Sequence, residues 1–154
     1  MPTKKKNKTL NNEDKKLIEE IIRVDHAGEH GATQIYRGQL AIFRENTEFG
    51  KEIKEMADQE EIHKSTFDEY IVKENIRPTA LFPFWNLAGY ALGLGTALMG
   101  KKAAMACTVA VEEVIGQHYD EQAKELSQRK IKPDLLKTVK KIRENELEHH
   151  DTGV

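Results

Sequence analysis

The chain has 154 residues, a length that suits one domain with a real core, and a formal net charge of −2. Charged residues make up 32% of the chain and aromatic residues 6%, which indicates a helix-rich protein and excludes a β-sandwich or a disordered chain. The small net charge excludes a strong general attraction to nucleic acid. Cys107 is the single cysteine, so no intrachain disulfide forms and a reducing compartment is favoured.

Residues 1–11 are predicted to be a disordered basic tail, and residues 12–154 a single helical domain. The tail contains "KKKNK" at residues 4–8, which is typical of a frayed, solvated terminus and less often of attraction to anionic lipid. The N-terminus has neither the apolar core of a signal peptide nor the acid-poor character of a mitochondrial transit peptide. This favours a bacterial protein on the cytoplasmic side, or an already mature one.

Four segments have the apolar spacing of amphipathic helices. The chain therefore predicts an all-α fold in which these helices bury one face each. Their predicted ranges are about 12–46, 49–74, 101–128 and 134–151.

The segment 78–100, between the second and third of these helices, carries no charge. Its length alone would suit a membrane span, but Pro78, Pro83 and Asn86 interrupt it, so a span is not predicted. One alternative is a buried crossover. The other, which we favour because so much apolar surface is hard to bury in a small domain, is a partly helical segment lying against a bilayer. Its aromatic side chains would then lie at the headgroup level: Phe82, Phe84, Trp85 and Tyr90.

A glutamate followed by a Glu-x-x-His motif occurs twice along the chain. This order predicts a pseudo-twofold pair of helical hairpins. The residues that form the repeat are Glu29, Glu60 and His63 in the first hairpin, and Glu112, Glu146 and His149 in the second.

Steps of three and four residues place these six side chains on the inner faces of their helices. Each buried carboxylate would cost several kcal/mol if left unpaired, and no Lys or Arg lies on the inner stripes at that depth. Two divalent cations would balance the four negative charges, and neutral imidazoles would complete the ligand set. Such a set is the signature of ferritin-like di-iron or di-manganese carboxylate bundles. Oxygen and nitrogen ligands favour iron, then manganese, over zinc.

Other residues near these positions have open interpretations. Tyr119 faces the core two turns after Glu112. It is either a packed side chain with a satisfied hydroxyl or a candidate catalytic residue, as a hydrogen-bonding or redox-active neighbour of the metals. Asp25, one turn before Glu29, either orients a ligating histidine or lies on the helix face.

Histidines and glycines near Glu29 raise separate expectations. His26 and His30 flank Glu29 but lie off the inward-facing stripe of their helix, so both are expected on the surface.

Gly28 and Gly31 each cost about 1 kcal/mol in a helix relative to alanine. Such a cost predicts a close helix approach or a passage near the metals.

Four long motifs resemble the demethoxyubiquinone hydroxylase family of ubiquinone biosynthesis, and the resemblance extends from about Ile21 to Gly153. They are "IIRVDHAGEHGATQIYRGQ", "DQEEIHK", "RPTALFPFWNLAGYALGLGTALMGKKAAMACTVAVEEVIGQHYDEQ" and "IRENELEHHD". The resemblance implies metal ligands at the same six positions, namely Glu29, Glu60, His63, Glu112, Glu146 and His149.

The resemblance also implies a ferritin-like four-helix bundle with two irons and one long apolar crossover between its second and third helices. It further implies an O2-dependent monooxygenase, with a polyprenyl quinol substrate and an unidentified reductant. The implied location is peripheral, on the cytoplasmic side of the bacterial inner membrane, with the matrix side of the mitochondrial inner membrane as its equivalent. A homo-oligomer or a partner from ubiquinone biosynthesis is also expected.

Family members usually continue well past the last Glu-x-x-His, so the resemblance implies a C-terminus that is short relative to the family. Two other functions compete with the hydroxylase. A ferritin-type ferroxidase or iron-storage protein would use the same ligands, but a cage subunit has no evident need for the uncharged aromatic segment. A non-catalytic lipid-binding bundle would need no metal.

Overall fold

The computed structural model describes residues 9–153, with the side chains of residues 9–148. Its described residues form helices and contain no strand, which confirms the all-α prediction. Residues 1–8 of the predicted basic tail lie outside the described residues. The helices are α1 (Asn12–Leu40), α2 (Glu48–Lys73), α3 (Phe82–Leu98), α4 (Lys101–Arg129) and α5 (Pro133–Gly153).

Helix α1 ends at Leu40, so the prediction that it continues to Asn46 is wrong. Residues 41–47 form a turn that reverses the chain before α2 begins. Phe43 continues the apolar spacing of α1 into this turn because its ring packs edge-on against Phe49, with centroids 4.7 Å apart. Phe43 is partly buried against the apolar cluster that contains Tyr36, so its apolar spacing reflects packing and not helical backbone.

Helix α3 occupies most of the uncharged segment and packs along α1 through glycines. A Cβ atom on Gly93 would lie 2.0 Å from the carbonyl oxygen of Ile35. A Cβ atom on Gly38 would lie 2.4 Å from the carbonyl oxygen of Tyr90. The two backbones can approach this closely only because neither glycine has a side chain.

The outer face of α3 is exposed, so the alternative of a buried crossover is wrong. Phe84 is 67% exposed, Leu87 68% and Leu98 68%. Only Gly93 and Ala97 of this helix are buried. No helix in the described part of the chain combines the length and the apolar character needed to cross a membrane.

Two apolar clusters lie on either side of the predicted ligands along α1 and α2. Tyr36, Ile53 and Met56 belong to one cluster. Ile22 and Phe67 belong to the other, which continues along α4 and α5 through Leu126, Leu135 and Val139. The glutamates of α1 and α2 therefore lie between apolar layers, where water is excluded.

Candidate metal centre

The four glutamates of the repeat are all buried, although each would be charged in water. Glu29, Glu60 and Glu146 are 0% exposed and Glu112 is 1% exposed, while His63 is 2% exposed. Among the side chains of residues 9–148, no Lys or Arg is buried. Burial of these carboxylates is therefore not matched by burial of a lysine or arginine in the part of the chain whose side chains are described.

His63 lies at the meeting point of three of these carboxylates. Its Nδ1 atom is 3.2 Å from Glu146 Oε1, 3.5 Å from Glu60 Oε2 and 3.7 Å from Glu29 Oε2. One ligand atom from each of the four residues lies within 4.8 Å of the others. Helices α1, α2 and α5 thus bring four of the predicted ligands to one point.

Glu112, on α4, is a predicted ligand outside this group of four, and it contacts Tyr36 of α1. The Tyr36 hydroxyl donates a hydrogen bond of 2.8 Å to Glu112 Oε1. Burial, followed by the charges of Glu60 and Glu146, raises the pKa of Tyr36 well above its usual value. The hydroxyl therefore keeps its proton and acts as a donor. The remaining predicted ligand, His149, lies on α5, but its side chain is outside the described residues.

Tyr119 contacts the cluster directly, since its hydroxyl donates a hydrogen bond to Glu29 Oε1. Burial, and then the charges of Glu29 and Asp25, raise the pKa of Tyr119 well above its usual value. The ring also stacks on Phe67, with centroids 6.4 Å apart. Tyr119 therefore combines both interpretations of the sequence, as a packed core residue and a hydrogen-bonding neighbour of a candidate ligand.

Asp25 lies inside the bundle rather than on an exposed helix face, with an exposure of 4%. Gln122 Nε2 donates a hydrogen bond of 2.7 Å to Asp25 Oδ1. Burial raises the pKa of Asp25 well above its usual value, Gln122 opposes this shift, and the charge of Glu29 adds to it. Asp25 is consequently a buried carboxyl group that holds its proton more tightly than an aspartic acid in water does.

The expectation that His26 and His30 are surface residues is wrong. His26 is 4% exposed, and the side chain of His30 is 17% exposed. Both imidazoles contact Asp68 of α2 through Nε2. Their helix positions point away from the inner stripe of α1, but the neighbouring helix α2 and Phe82 of α3 cover them.

Without a metal, the cation of the cluster is His63 itself. Burial alone would lower the pKa of its imidazole, but the carboxylates of Glu146, Glu29 and Glu60 outweigh burial and raise this pKa to about 12. One imidazolium balances only part of the charge of four glutamates. The donor set, with carboxylate oxygens and one imidazole nitrogen converging in a buried site, therefore fits divalent metal ions.

Comparison with known proteins gives the family of this chain. Residues 16–154 match the family described as Ubiquinone biosynthesis protein COQ7. The chain belongs to this family. A relative from Bos taurus, named NADPH-dependent 3-demethoxyubiquinone 3-hydroxylase, mitochondrial, is 51% identical over 148 residues, which cover 95% of this chain and 68% of the relative.

Two further relatives agree with this assignment. The Homo sapiens protein of the same name is 50% identical over 148 residues, covering 95% of this chain and 68% of its own length. A Rhodospirillum rubrum protein named 3-demethoxyubiquinol 3-hydroxylase is 47% identical over 137 residues, covering 89% of this chain and 64% of its own length. Membership of the COQ7 family therefore connects the buried glutamate–histidine cluster with relatives that are named hydroxylases.

An apolar groove of about 310 Å³ lies between α1, α3 and α4 of this COQ7-family chain. A Cβ atom on Gly28 would meet nothing within 4 Å, whereas one on Gly31 would lie 2.6 Å from Trp85 Nε1. Gly31 therefore permits a close approach of α3, as predicted for a helical glycine, whereas at Gly28 no neighbour requires a glycine and the groove stays open. The groove is lined by Gly28, Gly31, Ala32, Ile35, Trp85, Ala88, Gly89, Leu92, Val111, Val114 and Ile115.

The groove wall lies next to one candidate ligand. Its residues Ala32, Ile35 and Val111 also line a space too small to hold a water molecule, which is bounded on its other side by Tyr36, Thr108 and Glu112. From the sequence, Tyr36 was assigned no role near the site. Its spacing of seven residues, two turns, from Glu29 was the available signal.

Proposed function

We propose that this chain is an O2-dependent monooxygenase that hydroxylates the ring of a demethoxyubiquinol in ubiquinone biosynthesis. The observation that carries the proposal is a buried glutamate–histidine cluster beside an apolar groove, in a member of the COQ7 family. The names of its relatives supply the reaction, since they are 3-demethoxyubiquinone or 3-demethoxyubiquinol 3-hydroxylases.

In this proposal residues 12–154 form one ferritin-like domain, preceded by the basic tail of residues 1–11. Helices α1, α2, α4 and α5 are its four-helix bundle, and α3 is the apolar crossover between the two hairpins. The bundle holds two irons through six ligands, an arrangement supported by the burial of the described ones and by the chemistry of their donor atoms. The proposed ligands are Glu29, Glu60, His63, Glu112, Glu146 and His149.

A pair of irons bound there would supply the reduction of dioxygen, for which side chains have no chemistry of their own. One oxygen atom would enter a ring C–H bond and the other would leave as water, with two electrons and two protons from a reductant. The vertebrate relatives are named NADPH-dependent, which indicates the source of electrons in those proteins.

The protein's own groups orient the ligands and exclude water. Tyr36 and Tyr119 donate hydrogen bonds to Glu112 and Glu29, which fixes one oxygen of each carboxylate. The other oxygen of Glu29 lies 3.7 Å from His63 Nδ1. His63 must give up its Nδ1 proton to act as a ligand, and the surrounding carboxylates are the nearest acceptors. The apolar layers on either side keep bulk water away from these charges.

The groove is the proposed binding site of the quinol ring. Its lining is almost entirely apolar, which suits a methylated ring and the first units of an isoprenoid tail. The exposed apolar face of α3 adjoins the groove, so we place the chain peripherally on a membrane surface, on the cytoplasmic side of the bacterial inner membrane. The tail of the substrate would then stay in the bilayer while its ring reaches the site.

The test compares wild type with Glu112→Ala, using exposed Glu113→Ala as the matched control. Iron content is measured after anaerobic loading, and product is measured with demethoxyquinol, O2 and a reductant. We expect Glu112→Ala to lose iron and product together while Glu113→Ala keeps both. Full hydroxylation by Glu112→Ala would overturn the mechanism, and iron uptake into a large shell without product would support storage instead.

A further inference from the structure

A second group of metal-type ligands lies outside the candidate metal centre and shares no residue with it. His26 and His30 come from α1, and Asp68 comes from α2. The Oδ1 atom of Asp68 lies 3.0 Å from His26 Nε2 and 2.7 Å from His30 Nε2. One ligand atom from each residue therefore lies within 4.8 Å of the other two.

The spacing of these atoms suits one cation. Residues four apart are neighbours on a helix face, so both imidazoles can turn toward the same point. Bonds of about 2.1 Å to a tetrahedral zinc ion separate the ligand atoms by about 3.4 Å. The observed separations are slightly shorter, as expected for hydrogen bonds, and a small rotation of Asp68 opens them to that distance.

Aromatic packing holds both imidazoles in this orientation. The Phe82 ring stacks on His26 with centroids 5.1 Å apart and meets His30 edge-on at 4.7 Å. The Asp68 side chain is 44% exposed, which leaves a path for an ion and a position for a water ligand.

We propose that His26, His30 and Asp68 form a mononuclear site for a divalent cation of the zinc type, separate from the buried centre. Two imidazoles and one carboxylate are ligands that zinc accepts in three-residue sites, with water in the fourth position. A bound ion would join α1 to α2 directly beneath the first turn of α3. This inference does not depend on the proposed hydroxylase reaction.

The test measures metal binding by the full chain after its buried centre has been loaded with iron. We expect wild type to retain one additional Zn²⁺ per chain on dialysis, and Co²⁺ in its place to give the visible absorption of a tetrahedral site. His30→Ala and Asp68→Asn should each weaken this binding at least ~10-fold while leaving the iron content unchanged. Zn²⁺ should raise the melting temperature of wild type and not of these variants.

Matched controls separate this cluster from other histidines and carboxylates of the surface. His118→Ala removes a histidine of α4, and Asp58→Asn removes an exposed carboxylate of α2; both should keep the additional ion. Equal Zn²⁺ affinity in wild type, His30→Ala and Asp68→Asn would overturn the proposal. The absence of any additional ion in iron-loaded wild type would also overturn it, whatever the result of the hydroxylase assay.

Discussion

The side-chain amide of Asn145 lies against His63, with Nδ2 of the amide 3.1 Å from Nε2 of the ring. The other ring nitrogen, Nδ1, faces Glu146 and the other carboxylates. A charged imidazole and one bound to metal through Nδ1 both carry a hydrogen on Nε2, which needs an acceptor. A half turn of the amide places Oδ1 of Asn145 there, so the contact can orient the ring in both states.

Replacing Asn145 should therefore change metal affinity without removing a ligand. We expect Asn145→Leu to weaken iron binding by roughly 10- to 100-fold, because the Nε2–H group would lose its acceptor. Asn145→Asp should bind at least as tightly as wild type, since a carboxylate is a stronger acceptor. Anaerobic titration with Fe²⁺ measures both, and equal affinities in Asn145→Leu and Asn145→Asp would contradict this role.

Metal binding should release protons because His63 is charged in the metal-free protein. Its pKa of about 12 means that, at neutral pH, a cation must displace the Nδ1 proton. Affinity should accordingly rise as pH rises. Calorimetric titration in two buffers with different ionisation enthalpies measures the proton count, and we expect at least one proton released per chain; a heat that does not depend on the buffer would contradict this.

The raised pKa of His63 also determines how the stability of the metal-free protein changes with pH. Because the folded pKa of His63 is above its ordinary value of 6.5, its charge stabilises the metal-free fold fully below pH 6.5. That contribution is lost as pH rises toward 12. Melting of the metal-free protein should show it, with His63→Gln, which cannot titrate, as the control for the slope.

Gly28 offers a way to fill the groove without disturbing its walls. Gly28→Leu should raise the KM for quinol at least ~10-fold and leave iron content unchanged, because a side chain would enter open space that the ring needs. Gly95→Leu is the matched control, since it also adds a side chain to a helix where nothing lies within 4 Å. An unchanged KM in Gly28→Leu would remove the groove from the substrate path.

The outer face of α3 should carry membrane binding if the chain is a peripheral membrane protein. Phe84→Ser with Leu87→Ser removes two side chains that are 67% and 68% exposed and do not line the groove. We expect sedimentation with anionic liposomes to fall several-fold while iron content persists. Val72→Ser is the control, because Val72 is 81% exposed on α2; equal losses in both would assign binding to general surface hydrophobicity.

Helical periodicity was sufficient to predict which side chains of the repeat face inward. Glu60 and Glu146 each follow an apolar residue by four positions, and Glu29 follows Ile22 by seven, which is two turns. Burial at these positions depends only on the face of each helix. The neighbours of His26 and His30 depend instead on how α1 crosses α2. Asp68 is 38 residues from His30 in sequence, and no local pattern specifies that contact.

The residue at which α1 ends and the shape of the groove could not be predicted from the sequence, for a related reason. Phe43 satisfies the apolar period of a helix although it lies in a turn, because the period records burial and not backbone conformation. The groove exists because α3 approaches α1 at Gly31 and not at Gly28, and two glycines of one helix do not differ in propensity. Their difference arises from Trp85, a residue on another helix.

Because of the glycine contacts between them, α1 and α3 form one rigid side of the groove. With Gly93 against Ile35 and Gly38 against Tyr90, neither helix can slide along the other without a backbone collision. Any widening of the groove that admits a bulky ring must therefore come from the α4 side chains, on the other side of the groove, or from rotation of the Trp85 indole. Entry to the site would then be governed by side-chain rotation on the nanosecond scale rather than by slow separation of helices.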